Sequence, residues 1–119
     1  MKEEFYKGEE YLANFIYPDE YKSFVEIDKG TKVTSWWFLG MSEGLFEKAF
    51  DLLNKDLKSS KALVPFAKSS ETNSLACFDM NGRVYLYVGE LTLQNIDWDN
   101  RFYFDGFNKW VDHFNNEGT

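Results

Sequence analysis

The sequence predicts an α+β domain in which a central antiparallel sheet carries helices mainly on one face. Three observations predict it. Residues 62–88, ALVPFAKSSETNSLACFDMNGRVYLYV, read as three consecutive strands joined by two turns. A strongly amphipathic stretch over Ser42–Lys58 precedes this meander, and a second over Asp105–Asn115 follows it. Helices on either side of a run of antiparallel strands are the pattern of an α+β fold, and these two helices are expected to pack on one face of the sheet.

The elements follow in order. Residues 2–15 carry Phe5, Tyr11, Leu12 and Phe15 with Gly8 between them, which suits a short N-terminal helical extension within residues 1–15. Glycine inside a helix costs about 1 kcal/mol against alanine, so Gly8 reads as an interruption. Pro18 suits a first helical position, where its missing N–H is no loss. Asp19 and Glu20 then complement the positive end of the helix dipole. Tyr21, Phe24 and Val25 form a stripe, and Gly30 is a stop signal, so a helix is expected from Pro18 to about Asp28.

Lys32–Gly40, KVTSWWFLG, is β-branched and aromatic and reads as a strand. Adjacent residues on a strand face opposite sides, so one of Trp36 and Trp37 enters the core and the other lies on the second face or near an edge. In Ser42–Lys58, Leu45, Phe46, Ala49, Phe50, Leu53 and Leu57 form one face. Ser42 is the expected N-cap, and Glu47, Lys48, Asp51 and Lys55 fall largely outside the apolar stripe.

Within the meander, Pro65 cannot donate to a ladder and requires an edge, a bulge or a donor position facing away from the pairing. Lys68–Ser74 reads as a polar loop. Asn81-Gly82 between two apolar runs predicts a type I′ hairpin turn, with positive φ at both residues. Val84, Leu86 and Val88 alternate with Arg83, Tyr85 and Tyr87. The aliphatic side is expected in the core and the tyrosines on the opposite face with wet hydroxyls. Residues 89–100 mix strand and loop signals, and Arg101–Phe104 is short and strand-like. Asp105 is the expected cap of a last helix whose Phe107, Trp110, Val111 and Phe114 share one stripe, with residues 115–119 as a frayed tail.

The chain has 119 residues and reads as a single domain, 1–119, large enough to bury roughly two thirds of its unfolded surface. Its net charge of −7 argues against nucleic acid, since phosphate binding needs a Lys/Arg surface. The same charge would steer a basic protein partner. Met1-Lys2-Glu3-Glu4 leads into no apolar signal segment, no run is long enough for a membrane span, and the lone Cys77 fits a reducing compartment. A cytoplasmic location is expected.

No catalytic set emerges. His113 is the only histidine, so a metal site has little support. Cys77 sits in an apolar strand and reads as a small buried hydrophobe. No glycine-rich phosphate loop is present, and no cofactor is expected. Binding rather than catalysis is the expectation. Trp36, Trp37, Tyr85, Tyr87, Asp97, Trp98 and Asp99 are the candidate partner contacts, because aromatic anchors beside acidic residues combine a desolvated contact with fast association.

Three segments together resemble the SUKH superfamily, named in part for a fungal regulator of cell-wall glucan synthesis. Tyr17-Pro18-Asp19-Glu20-Tyr21-Lys22-Ser23-Phe24 is similar to that family's proline-led helix. Leu63-Val64-Pro65-Phe66-Ala67, then Asn73-Ser74-Leu75-Ala76-Cys77-Phe78-Asp79 and Gly82-Arg83-Val84-Tyr85, resemble its central strands. Phe104, Phe107 and Trp110 resemble its closing aromatic helix. The chain departs from the family at Asp28-Lys29-Gly30, where many members carry an Asn-Gly-Gly-like turn. The resemblance implies an α+β binding domain without a common catalytic site. It further implies a bacterial immunity protein that neutralises a cognate toxin domain, and a basic nuclease would suit the charge. The alternatives are a regulatory or scaffold module in cell-envelope synthesis, as in the fungal branch, and a small-ligand-binding domain.

Overall fold

The computed structural model describes residues 8–12, 14–28, 36–41, 44–56, 62–69, 74–88, 98 and 101–117. The chain runs α1 (Gly8–Tyr11), α2 (Asp19–Asp28), β1 (Trp36–Phe38), α3 (Leu45–Asp51), β2 (Val64–Ser69), β3 (Leu75–Phe78), β4 (Val84–Tyr87) and α4 (Phe107–Glu117). A 3₁₀ turn over Leu39–Met41 follows β1, and a π-helical turn over Leu52–Asp56 extends α3. The four strands form one antiparallel sheet in the order β1-β2-β3-β4. This is an α+β fold built on the meander that the sequence predicts.

Register sorts the side chains into two faces. Phe38, Ala67, Ala76 and Leu86 lie in one cross-strand row. Trp37, Lys68, Leu75 and Tyr87 lie in the next row, on the opposite side of the pleat. The first face carries α2 and α4 over an aromatic core. Tyr21 of α2 stacks on Tyr17 at 4.6 Å between ring centroids and meets Phe78 and Phe107 edge-on at 5.5 Å each. Phe66 stacks on Phe78 at 4.3 Å, and Trp110 of α4 meets Phe66 at 4.9 Å and Trp36 at 5.3 Å. Offset and edge-on pairs of this kind add about 0.5–1.5 kcal/mol each beyond the area they bury.

The second face carries α3. Its Ala49, together with Leu52 of the π-helical turn, stands over Leu75 and Tyr87. The Ser42–Lys58 and Asp105–Asn115 helices therefore do not share one face of the sheet as expected. An amphipathic stripe says that a helix has a buried face and leaves open which side of the sheet buries it.

Among the local expectations, the bulge allowed for at Pro65 is present, and several others change for physical reasons. Pro65 occupies a central strand, where the register shifts between Pro65 and Ala67; the bulge absorbs the missing donor. The hairpin turn is not type I′, because Gly82 has φ +85 while Asn81 is not in the positive-φ region. The Gly82 N–H donates to the Asp79 carbonyl at 3.2 Å and the Asp79 N–H to the Arg83 carbonyl at 3.0 Å. This is a three-residue loop, a type I turn followed by a left-handed glycine. Asp79 selects it: its buried Oδ1 accepts from the N–H groups of Asn81 at 2.8 Å and Arg83 at 3.0 Å.

Gly44, with φ +87, stands at the N-cap of α3, so the helix starts later than the expected Ser42 cap, which lies outside the described residues. Gly106 supplies the first carbonyl acceptor of α4, to the Trp110 N–H, one residue after Asp105. The helix runs on to Glu117, past the expected start of fraying. In the expected Lys68–Ser74 loop, Lys68 and Ser69 belong to β2, and the Ser69 N–H donates to the Ser74 carbonyl at 3.0 Å.

Gly8 opens α1 instead of interrupting it. Its N–H donates to the Tyr17 hydroxyl at 2.9 Å, and a Cβ there would meet Val64 Cγ1 at 2.5 Å and the Tyr17 hydroxyl at 2.6 Å. Glu9 continues the clasp, accepting from the Tyr17 N–H at 2.9 Å and approaching Lys22 Nζ at 3.4 Å. Among the described residues no helix is long and apolar enough to cross a membrane.

Candidate functional site

The second face is the part of the sheet with an open stretch. It divides into three zones. At one end Tyr85 is buried beneath Trp98, edge-on at 5.6 Å, and Tyr103, tilted at 5.5 Å. Two arginines brace this lid: Arg83 lies over the Tyr103 ring at 4.5 Å and Arg101 over Trp98 at 5.3 Å. Arg101 also donates from Nε at 3.2 Å and Nη2 at 2.9 Å to the Leu86 carbonyl. Beside it, Phe104 and Val84 exchange backbone bonds of 2.9 and 3.0 Å as an isolated bridge. The strand-like Arg101–Phe104 segment thus shields the β4 edge, with a guanidinium supplying the donors to Leu86.

In the middle zone a cleft of about 380 Å³ opens between α3 and the sheet. Its floor is Lys68, Leu75 and Tyr87 from one cross-strand row, and Leu45, Lys48, Ala49 and Leu52 form the wall. Leu39 closes the end next to β1. No carboxylate is among the described residues that line it. At the far end the same row reaches Trp37 on the edge strand β1, 57% exposed and paired in register with Lys68.

The sequence-nominated contacts separate accordingly. Trp37 is exposed, whereas Trp36 is buried in the first face against Trp110 and Phe114. Tyr85, Tyr87 and Trp98 are buried, which corrects the expectation of wet tyrosines; Leu86 is half-buried and Val88 56% exposed. The reason is that both faces are covered, so the period of two along β4 does not separate a core side from a solvent side. Asp97 and Asp99 lie outside the described residues. Trp37 is thus the one nominated aromatic that reaches solvent.

Lys48, expected largely outside the apolar stripe, lines the cleft beside Leu45 and Leu52, and neither it nor Lys68 was among the nominated contacts. Lys48 sits three residues after Leu45 and four before Leu52, a spacing that places it on their face and could have been read from the helix. Lys68 is placed by strand pairing, which has no local signature.

The remaining reactive groups fit quieter roles. Cys77 is fully buried, and that burial alone pushes its thiol pKa far up, holding it protonated and unreactive. Burial also raises the Tyr17 phenol well above its ordinary value, against the lowering effect of the Gly8 hydrogen bond. His113 is exposed, its ring in contact with Phe104 and Phe114.

No family model, curated protein or solved structure matches the chain.

Proposed function

We propose that the chain is a non-enzymatic protein-binding domain, an immunity protein that neutralises a cognate bacterial toxin by direct contact. The observation that carries the binding part is Trp37. A large indole held exposed on a hydrogen-bonded strand offers a rigid anchor whose ordering costs little on association. The immunity part is supported by the SUKH-like order of motifs, and the net charge of −7 favours a basic partner such as a nuclease.

The test compares capture by the tagged chain and by Trp37→Ala from its own cells, at low and high salt. The captured domain is then expressed with and without the chain. The expected result is one stoichiometric partner, held less tightly in salt and lost with Trp37→Ala, whose toxicity the intact chain suppresses. Capture of several envelope-synthesis proteins would replace this reading with the scaffold. Capture unchanged by Trp37→Ala would remove the second face from the interface.

A further inference from the structure

We infer that the cleft beneath α3 is a binding site for a small amphipathic carboxylate, with its apolar chain on Leu75 and Tyr87 and its head group at Lys48 and Lys68. The site is independent of the toxin-binding reading, and either can stand without the other.

The volume comes first. At about 380 Å³ the cleft falls low in the roughly 300–1,000 Å³ range of small-molecule sites. Its walls are aliphatic and aromatic, so a chain of methylenes would be desolvated there at a gain of about 0.8 kcal/mol per buried group.

The charges select the head group. The chain carries 20 Asp and Glu against 13 Lys and Arg, yet the described lining holds two lysines and no carboxylate. Lys48 and Lys68 come from different elements, α3 and β2, and both are exposed. Neither makes an ion pair with a described residue. A cationic amphiphile would be repelled by this pair. A small anion without a chain would leave the apolar walls in water. An anionic head on an apolar tail satisfies both parts, and lysine suits a carboxylate that keeps one edge in solvent.

The experiment titrates the full chain with octanoate, octanol and octyltrimethylammonium by calorimetry, while amide shifts are followed by NMR. Octanoate should bind at one saturable site, shifting Lys48, Lys68, Leu75 and Tyr87. It should be preferred over octanol by about three- to tenfold, the yield of one or two exposed ion pairs. Raising salt to about 0.5 M should shrink that preference. The double variant Lys48→Gln/Lys68→Gln changes only exposed side chains; it should bind octanol as before and lose the preference for octanoate. Absence of saturable octanoate binding would overturn the inference, as would equal affinity for octanol or shifts outside the cleft. Binding of a peptide ending in a free leucine carboxylate, with none of octanoate, would overturn it in favour of a protein terminus.

Discussion

The two faces of the sheet are built from different materials. On the first, Phe38, Phe66, Phe78, Phe107 and Trp110 interlock with Tyr17 and Tyr21, and all seven side chains are buried. On the second, Leu75, Ala49 and Leu52 meet across a cleft, and Trp37 remains exposed at the strand edge. Large flat rings from two helices and the sheet fill space by edge and face contacts, which leaves little room for a ligand. Smaller aliphatic groups beneath a short helix do not reach across the same gap. The first face thus concentrates stability, and the second leaves room for binding.

Breaking the first face should cost the most. Trp110→Ala removes the ring that joins α4 to Phe66 and Trp36, and should destabilise by about 3–5 kcal/mol in urea denaturation. Trp110→Phe should cost far less, because the buried indole nitrogen has no hydrogen-bond partner among the described residues to lose. If alanine at position 110 proved as mild as a surface substitution, the contrast between the faces would fail.

Gly8→Ala tests the clasp at the border of the first face. Its Cβ would press on Val64 and the Tyr17 hydroxyl, so a loss of about 1–3 kcal/mol is expected. The Tyr17→Phe background should relieve part of that loss, because one of the two clashing atoms is then absent. A double-mutant cycle with no coupling would place the strain elsewhere.

Alkali reads one buried acid on each face. Cys77 lies in the second-face row with Tyr85, and Tyr17 lies in the first. Both keep their protons in the folded state to a higher pH than in the unfolded chain. Once pH exceeds the unfolded value, about 8.5 for cysteine and about 10 for tyrosine, the unfolded state holds fewer protons and stability falls. Each group contributes a loss of about 1.4 kcal/mol per pH unit above its own threshold. Cys77→Ala should flatten the decline between about pH 8.5 and 10 and leave the steeper part that Tyr17 adds at higher pH. Denaturation series at several pH values would show whether the slope changes where expected.

Trp37→Ala should give the smallest change in stability, within about 0.5 kcal/mol, since the ring is mostly in solvent. A larger loss would show that the second face depends on this ring for packing, and the binding assignment would weaken with it.

The element sequence itself was readable from short-range pattern. The stripe of Tyr21, Phe24 and Val25 located α2, the alternation after Gly82 located β4, and Phe107, Trp110, Val111 and Phe114 located α4. Each of these signals lives within a few residues of its neighbours, where helix and strand periods act. Pro65 announced a disturbance in its strand, and the bulge is there.

Tertiary packing decided the rest. Which face of the sheet buries α3 is not encoded in its apolar stripe, which says only that the helix has a buried side. The burial of Tyr85 and Tyr87 followed from Trp98, Tyr103 and α3 arriving above them. The Asn-Gly turn took its three-residue form because the Asp79 carboxylate, held buried, collects two backbone donors. Gly8 is a contact point because Tyr17 and, from far along the chain, Val64 close on it. The pairing of Trp37 with Lys68, and the meeting of Lys68 with Lys48 around one cleft, arise from strand register and helix placement. The local sequence therefore determined which segments are helix and strand, while long-range contacts decided which side chains are left to bind.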